Sequence, residues 1–99
     1  MHCTAPDLGS GEIIARALVE EHLAACVNLL PGVTSIFRWE GKVEREQECL
    51  LIIKTTESQF EKVKECILAR HPYDVAEIIA MPITHASADY LKWLTENSK

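Results

Sequence analysis

Ninety-nine residues, 47% of them hydrophobic, suffice for one cored domain, and the whole chain, 1–99, is read as that domain. Ten basic against fifteen acidic residues leave a net charge of −5, and the basic side chains are scattered among acids, as in Lys42, Glu44, Arg45 and Glu46. Phosphate-backbone binding draws on clustered Lys and Arg, and a membrane span needs roughly 18–20 consecutive apolar residues, so neither nucleic acid nor a membrane is an expected partner.

The first residues, Met1-His2-Cys3-Thr4, show no basic patch followed by an apolar stretch, and no signal peptide is expected. Cys3-Thr4 reads as the stump of an initial strand. Residues 9–24 read as a helix with Ser10 at its N-cap, with Ile13, Ile14, Ala17, Leu18 and Leu23 inward and Glu20 and Glu21 outward. Residues 26–39 read as extended, with a turn or bulge at Pro31-Gly32, because Pro fixes φ and Gly accepts positive φ.

Glu40-Gly41-Lys42 forms the expected tip of a hairpin, and a second strand returns from Val43 to about Thr55. Its outer half carries Glu44, Glu46 and Glu48. Its inner half, Leu50-Leu51-Ile52-Ile53, is apolar throughout, which predicts a sheet covered on both faces. Residues 57–70 read as a second helix with Phe60, Val63 and Ile67 inward and Thr56 or Ser58 capping. It ends at His71-Pro72, since the residue before Pro is pushed out of the helical region. A strand is predicted over 77–83, and a tail helix over about 87–97 with Leu91 and Leu94 inward. The order β-α-β-β-α-β plus a tail helix is that of the α+β, ferredoxin-like fold, two helices on one face of an antiparallel sheet. In that fold the first strand is central, and here few residues precede Pro6.

Cysteines 3, 26, 49 and 66 are far apart, with no C-x-x-C pair, and read as reduced thiols in a cytoplasm. Cys26, Cys49 and Cys66 fall on apolar elements and are expected to pack as small hydrophobes. His2, His22 and His85 show no ligand spacing with one another. No Gly-rich phosphate loop or nucleophile elbow occurs, and catalysis is not expected.

Several short segments, in order and spacing, carry a further signal. They are Cys3-Thr4-Ala5-Pro6-Asp7, Leu23-Ala24-Ala25-Cys26-Val27-Asn28, Pro31-Gly32-Val33-Thr34-Ser35, Trp39-Glu40-Gly41-Lys42, Lys54-Thr55-Thr56, His71-Pro72-Tyr73, Pro82-Ile83-Thr84 and Tyr90-Leu91-Lys92-Trp93-Leu94. Together they resemble the CutA divalent-cation-tolerance family over essentially the whole chain. The resemblance implies a ferredoxin-like homotrimer joined by long hairpins, similar in outline to the PII signalling proteins. It also implies a cytoplasmic protein tied to tolerance of copper and other divalent cations. The family's copper link runs through a first-strand cysteine and two adjacent histidines after the second helix. Carried over, these positions are Cys3, Arg70 and His71. Arg70 stands where the family has a histidine, and the family's apolar residues before the cysteine are missing.

Thiolate and imidazole suit Cu2+ and equally Zn2+, so Cys3 and His71 are the candidate metal ligands, with Glu77, water or another chain supplying a third. Arg70 repels a cation and cannot ligate one. The resemblance further suggests that Trp39, Lys54, Tyr73, Glu77, Tyr90 and Trp93 line clefts between subunits. Interface packing accounts for the aromatics equally well. Two functions follow as expectations: a non-enzymatic, copper-related tolerance protein, or a PII-like adaptor holding a small metabolite or protein in the inter-subunit cleft.

Overall fold

Cys3 and Ala5 are fully buried while His2 and Thr4 are only half-buried, so the first strand, His2–Ala5 (β1), is two-faced over just four residues. The computed structural model describes residues 1–99. After β1 come the helix Leu8–Glu20 (α1), the hairpin strands Cys26–Trp39 (β2) and Lys42–Lys54 (β3), and the helix Phe60–Arg70 (α2) behind a 3-10 turn at Glu57–Gln59. The two-residue strand Ile78–Ile79 (β4) and the helix Ala88–Glu96 (α3) complete the order. The sheet runs β2-β3-β1-β4, every neighbouring pair antiparallel, and is ferredoxin-like as expected.

β1 is central despite its length. Met1 extends it by exchanging both main-chain bonds with Ile53, its N-terminal amine donating to Ile53 O at 2.7 Å and Ile53 N donating to Met1 O at 2.8 Å. In an antiparallel ladder, residues alternate between facing one neighbour and the other. Met1, Cys3 and Ala5 therefore turn their main-chain groups toward β3, and His2 and Thr4 turn theirs toward β4.

The core lies between one sheet face and the two helices. Cys3, Ala5, Cys49, Leu51 and Ile53 meet Ile14 and Leu18 of α1 and Val63, Cys66 and Ile67 of α2. Gly11 lets α1 approach: a Cβ there would stand 3.1 Å from Leu29 Cδ2 and 3.3 Å from Leu51 Cδ1. The other face carries Leu30, Leu50, Ile52 and Ile79, and no element of the chain covers it. The all-apolar Leu50–Ile53 run predicted two covered faces; within one chain only the Leu51 and Ile53 face is covered.

The hairpin matches its sequence signals. A register irregularity falls between Leu30 and Val33, with Gly32 at φ 75°. Glu40 and Gly41 form a two-residue tip at φ 50° and 81°, the backbone that suits twisted strands.

Other expectations are corrected. The N-cap of α1 is Asp7, not Ser10: Asp7 Oδ1 accepts from Ser10 N at 2.7 Å. The helix stops at Glu20 rather than residue 24. Leu23 N donates to Leu18 O at 2.9 Å and His22 N to Val19 O at 3.1 Å around His22 at φ 59°, a left-handed stop made without glycine. Ile13 faces out, one step off the buried stripe of Ile14 and Leu18. Neither Thr56 nor Ser58 caps a main-chain N–H; the two hydroxyls bond each other at 3.2 Å. The predicted strand over 77–83 shrinks to Ile78–Ile79, because short β1 offers few rungs and Pro82 lacks a donor. In α3 Leu94 is buried, but Leu91 is half-exposed.

Candidate functional site

β4 pairs with only His2 and Cys3, so the Thr4 carbonyl of β1 faces the space beyond its end. Helix α2 ends there: His71 has φ −80° and ψ 134°, as expected before Pro72, and the chain turns its imidazole back over β1. His71 Nε2 lies 2.6 Å from Thr4 O, and Tyr73 N donates to His71 Nδ1 at 3.1 Å. A carbonyl only accepts and a main-chain N–H only donates, so the tautomer follows: Nε2 carries the proton and Nδ1 is bare. The Tyr73 ring leans on the imidazole with centroids 4.9 Å apart. Its hydroxyl donates to Glu48 Oε2 at 3.1 Å, just past the last β1–β3 rung, Ala5–Cys49.

Cys3 joins the same acceptor. Its thiol donates to Thr4 O at 3.7 Å, and the side chain has no exposure. Burial, then the charges of Glu77 and Glu48, push the thiol up to about 12. Partial burial and the bond to Glu48 push Tyr73 up to about 12 as well.

The two candidate ligands are thus brought together, both as proton donors to one carbonyl. They do not fit a metal in this arrangement. A metal takes thiolate rather than thiol, and an imidazole nitrogen that is neither protonated nor engaged. Glu77, the candidate third ligand, is exposed, and its charge only adds to keeping the thiol protonated. Nowhere do three His, Cys, Asp or Glu side chains gather where they could hold one ion. Arg70 turns away, donating to Cys66 O at 3.2 Å and Cys66 Sγ at 3.3 Å, and the Cys66 thiol points to Glu21 Oε2 at 3.8 Å.

The six cleft residues do not converge within one chain. Trp39 sits at the hairpin tip opposite Lys42, and Lys54 at its base opposite Cys26, roughly 40 Å away at the usual rise per strand residue. Lys54 Nζ bonds Asn28 Oδ1 and lies 3.9 Å from Cys26 Sγ. Tyr90 and Trp93 stack on α3 with centroids 5.6 Å apart. Tyr73 belongs to the His71 group and Glu77 lies near Cys3. Of the six, Lys54 alone lines the largest hollow, about 1130 Å³, whose other walls include His2, Ile52, Met81, Leu91 and Leu94.

Sequence reasoning missed Glu48 and the Thr4 carbonyl. Glu48 reads as one of three exposed acids on the strand, yet it is 8% exposed. A main-chain acceptor has no signature in side-chain identities. Nor do side-chain identities record where β4 stops pairing with β1, which is what leaves this carbonyl to be satisfied from elsewhere.

The chain matches the family described as CutA1 divalent ion tolerance protein over residues 1–97. It is 54% identical over 95 residues to the divalent-cation tolerance protein CutA of Thermus thermophilus, covering 96% of this chain and 92% of that one. Among solved structures it is similar to the divalent cation tolerance protein Cut A1 of Thermus thermophilus, with TM-score 0.97 and 52% identity over 99% of this chain and 95% of that one. It is also similar to CutA1 of Oryza sativa, with TM-score 0.96 and 44% identity over 99% and 90% of the two chains. The central first strand, the long hairpin, two helices on one face and the matches along the whole length agree: the chain belongs to the CutA1 divalent ion tolerance family.

Proposed function

We propose that this chain acts as a homotrimeric, non-enzymatic protein of divalent-cation tolerance in the cytoplasm, with Cu2+ the first cation to test and Zn2+ the second. The observation that carries the assembly is the bare sheet face of Leu30, Leu50, Ile52 and Ile79, with exposed Met81 and Ile83 beside Ile52. A two-layer domain needs its apolar sheet face covered, and copies of the same chain can do this around a closed axis. Four free cysteines suit a reducing compartment, and thiols with imidazoles are the ligand types that favour copper and zinc.

The test is growth of cells lacking the protein under graded Cu2+, Zn2+ and Co2+, with the wild type and an Ile52→Glu variant returned to them. Restored tolerance with the wild type and its loss with Ile52→Glu supports the reading. Growth that no cation distinguishes from the complemented strain contradicts it.

One observation favours a second reading, a PII-like adaptor. The hollow beside Lys54 and His2 is as large as a metabolite site and joins apolar walls to polar side chains such as Lys54, His2 and Thr95. A ligand bound only by the native state must raise the melting temperature. A screen of nucleotides and small acids in which nothing does so at saturation removes this reading.

A further inference from the structure

The edge of β1 poses a question of main-chain accounting. β4 meets His2 and Cys3 and no further residue, so the Thr4 carbonyl has no strand beside it. A half-buried carbonyl left without a donor is destabilising. Two side chains answer it: His71 Nε2–H from beyond α2 at 2.6 Å, and the Cys3 thiol from within β1 at 3.7 Å. His71 is then held from its other side by Tyr73 N, and Tyr73 by Glu48 of β3. The result is a continuous line of bonds from β1 through the turn after α2 to β3.

We infer that Cys3 and His71 form a hydrogen-bonded clasp that completes the β1 edge in place of β4, and that the chain's affinity for divalent cations depends on neither residue. Both imidazole nitrogens of His71 are engaged, Nε2 with Thr4 O and Nδ1 with Tyr73 N, and the Cys3 sulfur is buried against the same carbonyl. Ligation by the pair requires loss of the thiol proton and freeing one imidazole nitrogen, which releases either Tyr73 N from Nδ1 or Thr4 O from Nε2, with two protein ligands to offset the loss. Arg70 adds a fixed positive charge to the end of α2 and directs its donors to Cys66. The clasp does not rest on the cation-tolerance reading, which stands or falls by growth assays.

The test compares the full-length wild type, Cys3→Ser and His71→Gln, titrated with Zn2+ and with Cu2+ against a chromogenic chelator. In glutamine the amide nitrogen stands about where Nε2 does, so the donor to Thr4 O is kept while a strong metal ligand is lost. The clasp predicts apparent affinities within about twofold among the three proteins, since neither residue contributes a metal bond. It also predicts that His71→Gln melts above His71→Ala. In nitrogen NMR of the wild-type His71 imidazole, the signals of both ring nitrogens should be unchanged when equimolar Zn2+ is added. One tight equivalent per chain, lost in both Cys3→Ser and His71→Gln, would overturn the inference. So would a His71 signal that Zn2+ converts to a metal-bound form, a readout that needs no variant to fold.

Discussion

The Tyr73 hydroxyl donates to Glu48 Oε2 at 3.1 Å, and this bond fixes the turn after α2 to β3. Glu48 is 8% exposed, so its carboxylate is largely removed from water and relies on this donor. Tyr73→Phe should destabilise by about 1.5 kcal/mol, the low end for bonds to charged groups because Tyr73 is partly exposed. Adding Glu48→Gln to Tyr73→Phe should recover part of the loss, because the buried charge left without its donor is then gone. A double-mutant cycle by urea denaturation measures the coupling, and additivity of the two single changes would contradict the bond's role.

Alkaline pH should weaken the fold through the same group of residues. Cys3 is raised from 9.0 to about 12 and Tyr73 from 10.0 to about 12 when folded. Raised values mean the unfolded chain loses protons first, so the stability they carry is complete below pH 9 and is lost as pH climbs toward 12. Cys49 and Cys66, raised chiefly by burial, act with the same sign. Cys3 alone accounts for about 4 kcal/mol at the top of that window. Cys3→Ser should therefore show a shallower fall in melting temperature between pH 9 and 12; equal slopes in both proteins would contradict it.

Acid should act at the other end of β1. Hydrogen bonds from Ser10, its main-chain N–H first, hold the Asp7 carboxyl below its ordinary value of 3.8. A lowered value stabilises the fold above pH 4 and ceases to do so as pH falls through the folded value. Asp7→Asn keeps a capping oxygen without the charge. Its melting temperature should change less than that of the wild type between pH 4 and pH 2.

His22 marks a place where the sequence can be improved. It holds the left-handed position after α1 at φ 59°, where a Cβ is strained and glycine is at ease. His22→Gly should raise stability by about 1 kcal/mol, seen as a higher denaturation midpoint with an unchanged slope. A lower midpoint would mean that the imidazole contributes something the left-handed strain does not outweigh.

How much of this was legible in the sequence varies with the kind of signal. The hairpin was read nearly to the residue, because Pro31-Gly32 and Glu40-Gly41 each impose local backbone geometry that no distant contact needs to decide. The inward residues of α2 were read from spacing, and Val63 and Ile67 are fully buried. The end of α1 was not, because residues 21–24 continue to look helical while the stop is a main-chain arrangement at a histidine. The strand after residue 77 was overdrawn. Ile78 to Ile83 is a strand-like run, but its partner β1 is only four residues long. At the candidate site, the resemblance named Cys3 and His71 and the structure brings both to one carbonyl. That they arrive as donors depends on a strand ending two residues early, which side-chain identity does not record.

The bare sheet face bears most directly on what the chain is. Leu51 lies beneath the helices and Leu50 and Ile52 on the opposite side, so substitutions there should separate folding from assembly. Leu51→Ala should cost about 2–5 kcal/mol in any state of association. Ile52→Glu should spare the core yet break assembly. The decisive measurement is the mass in solution, by light scattering at micromolar concentration, of the wild type beside Ile52→Glu. The account predicts three times the 11.1 kDa chain mass for the wild type and a smaller mass for the variant. A wild type at 11.1 kDa would contradict it.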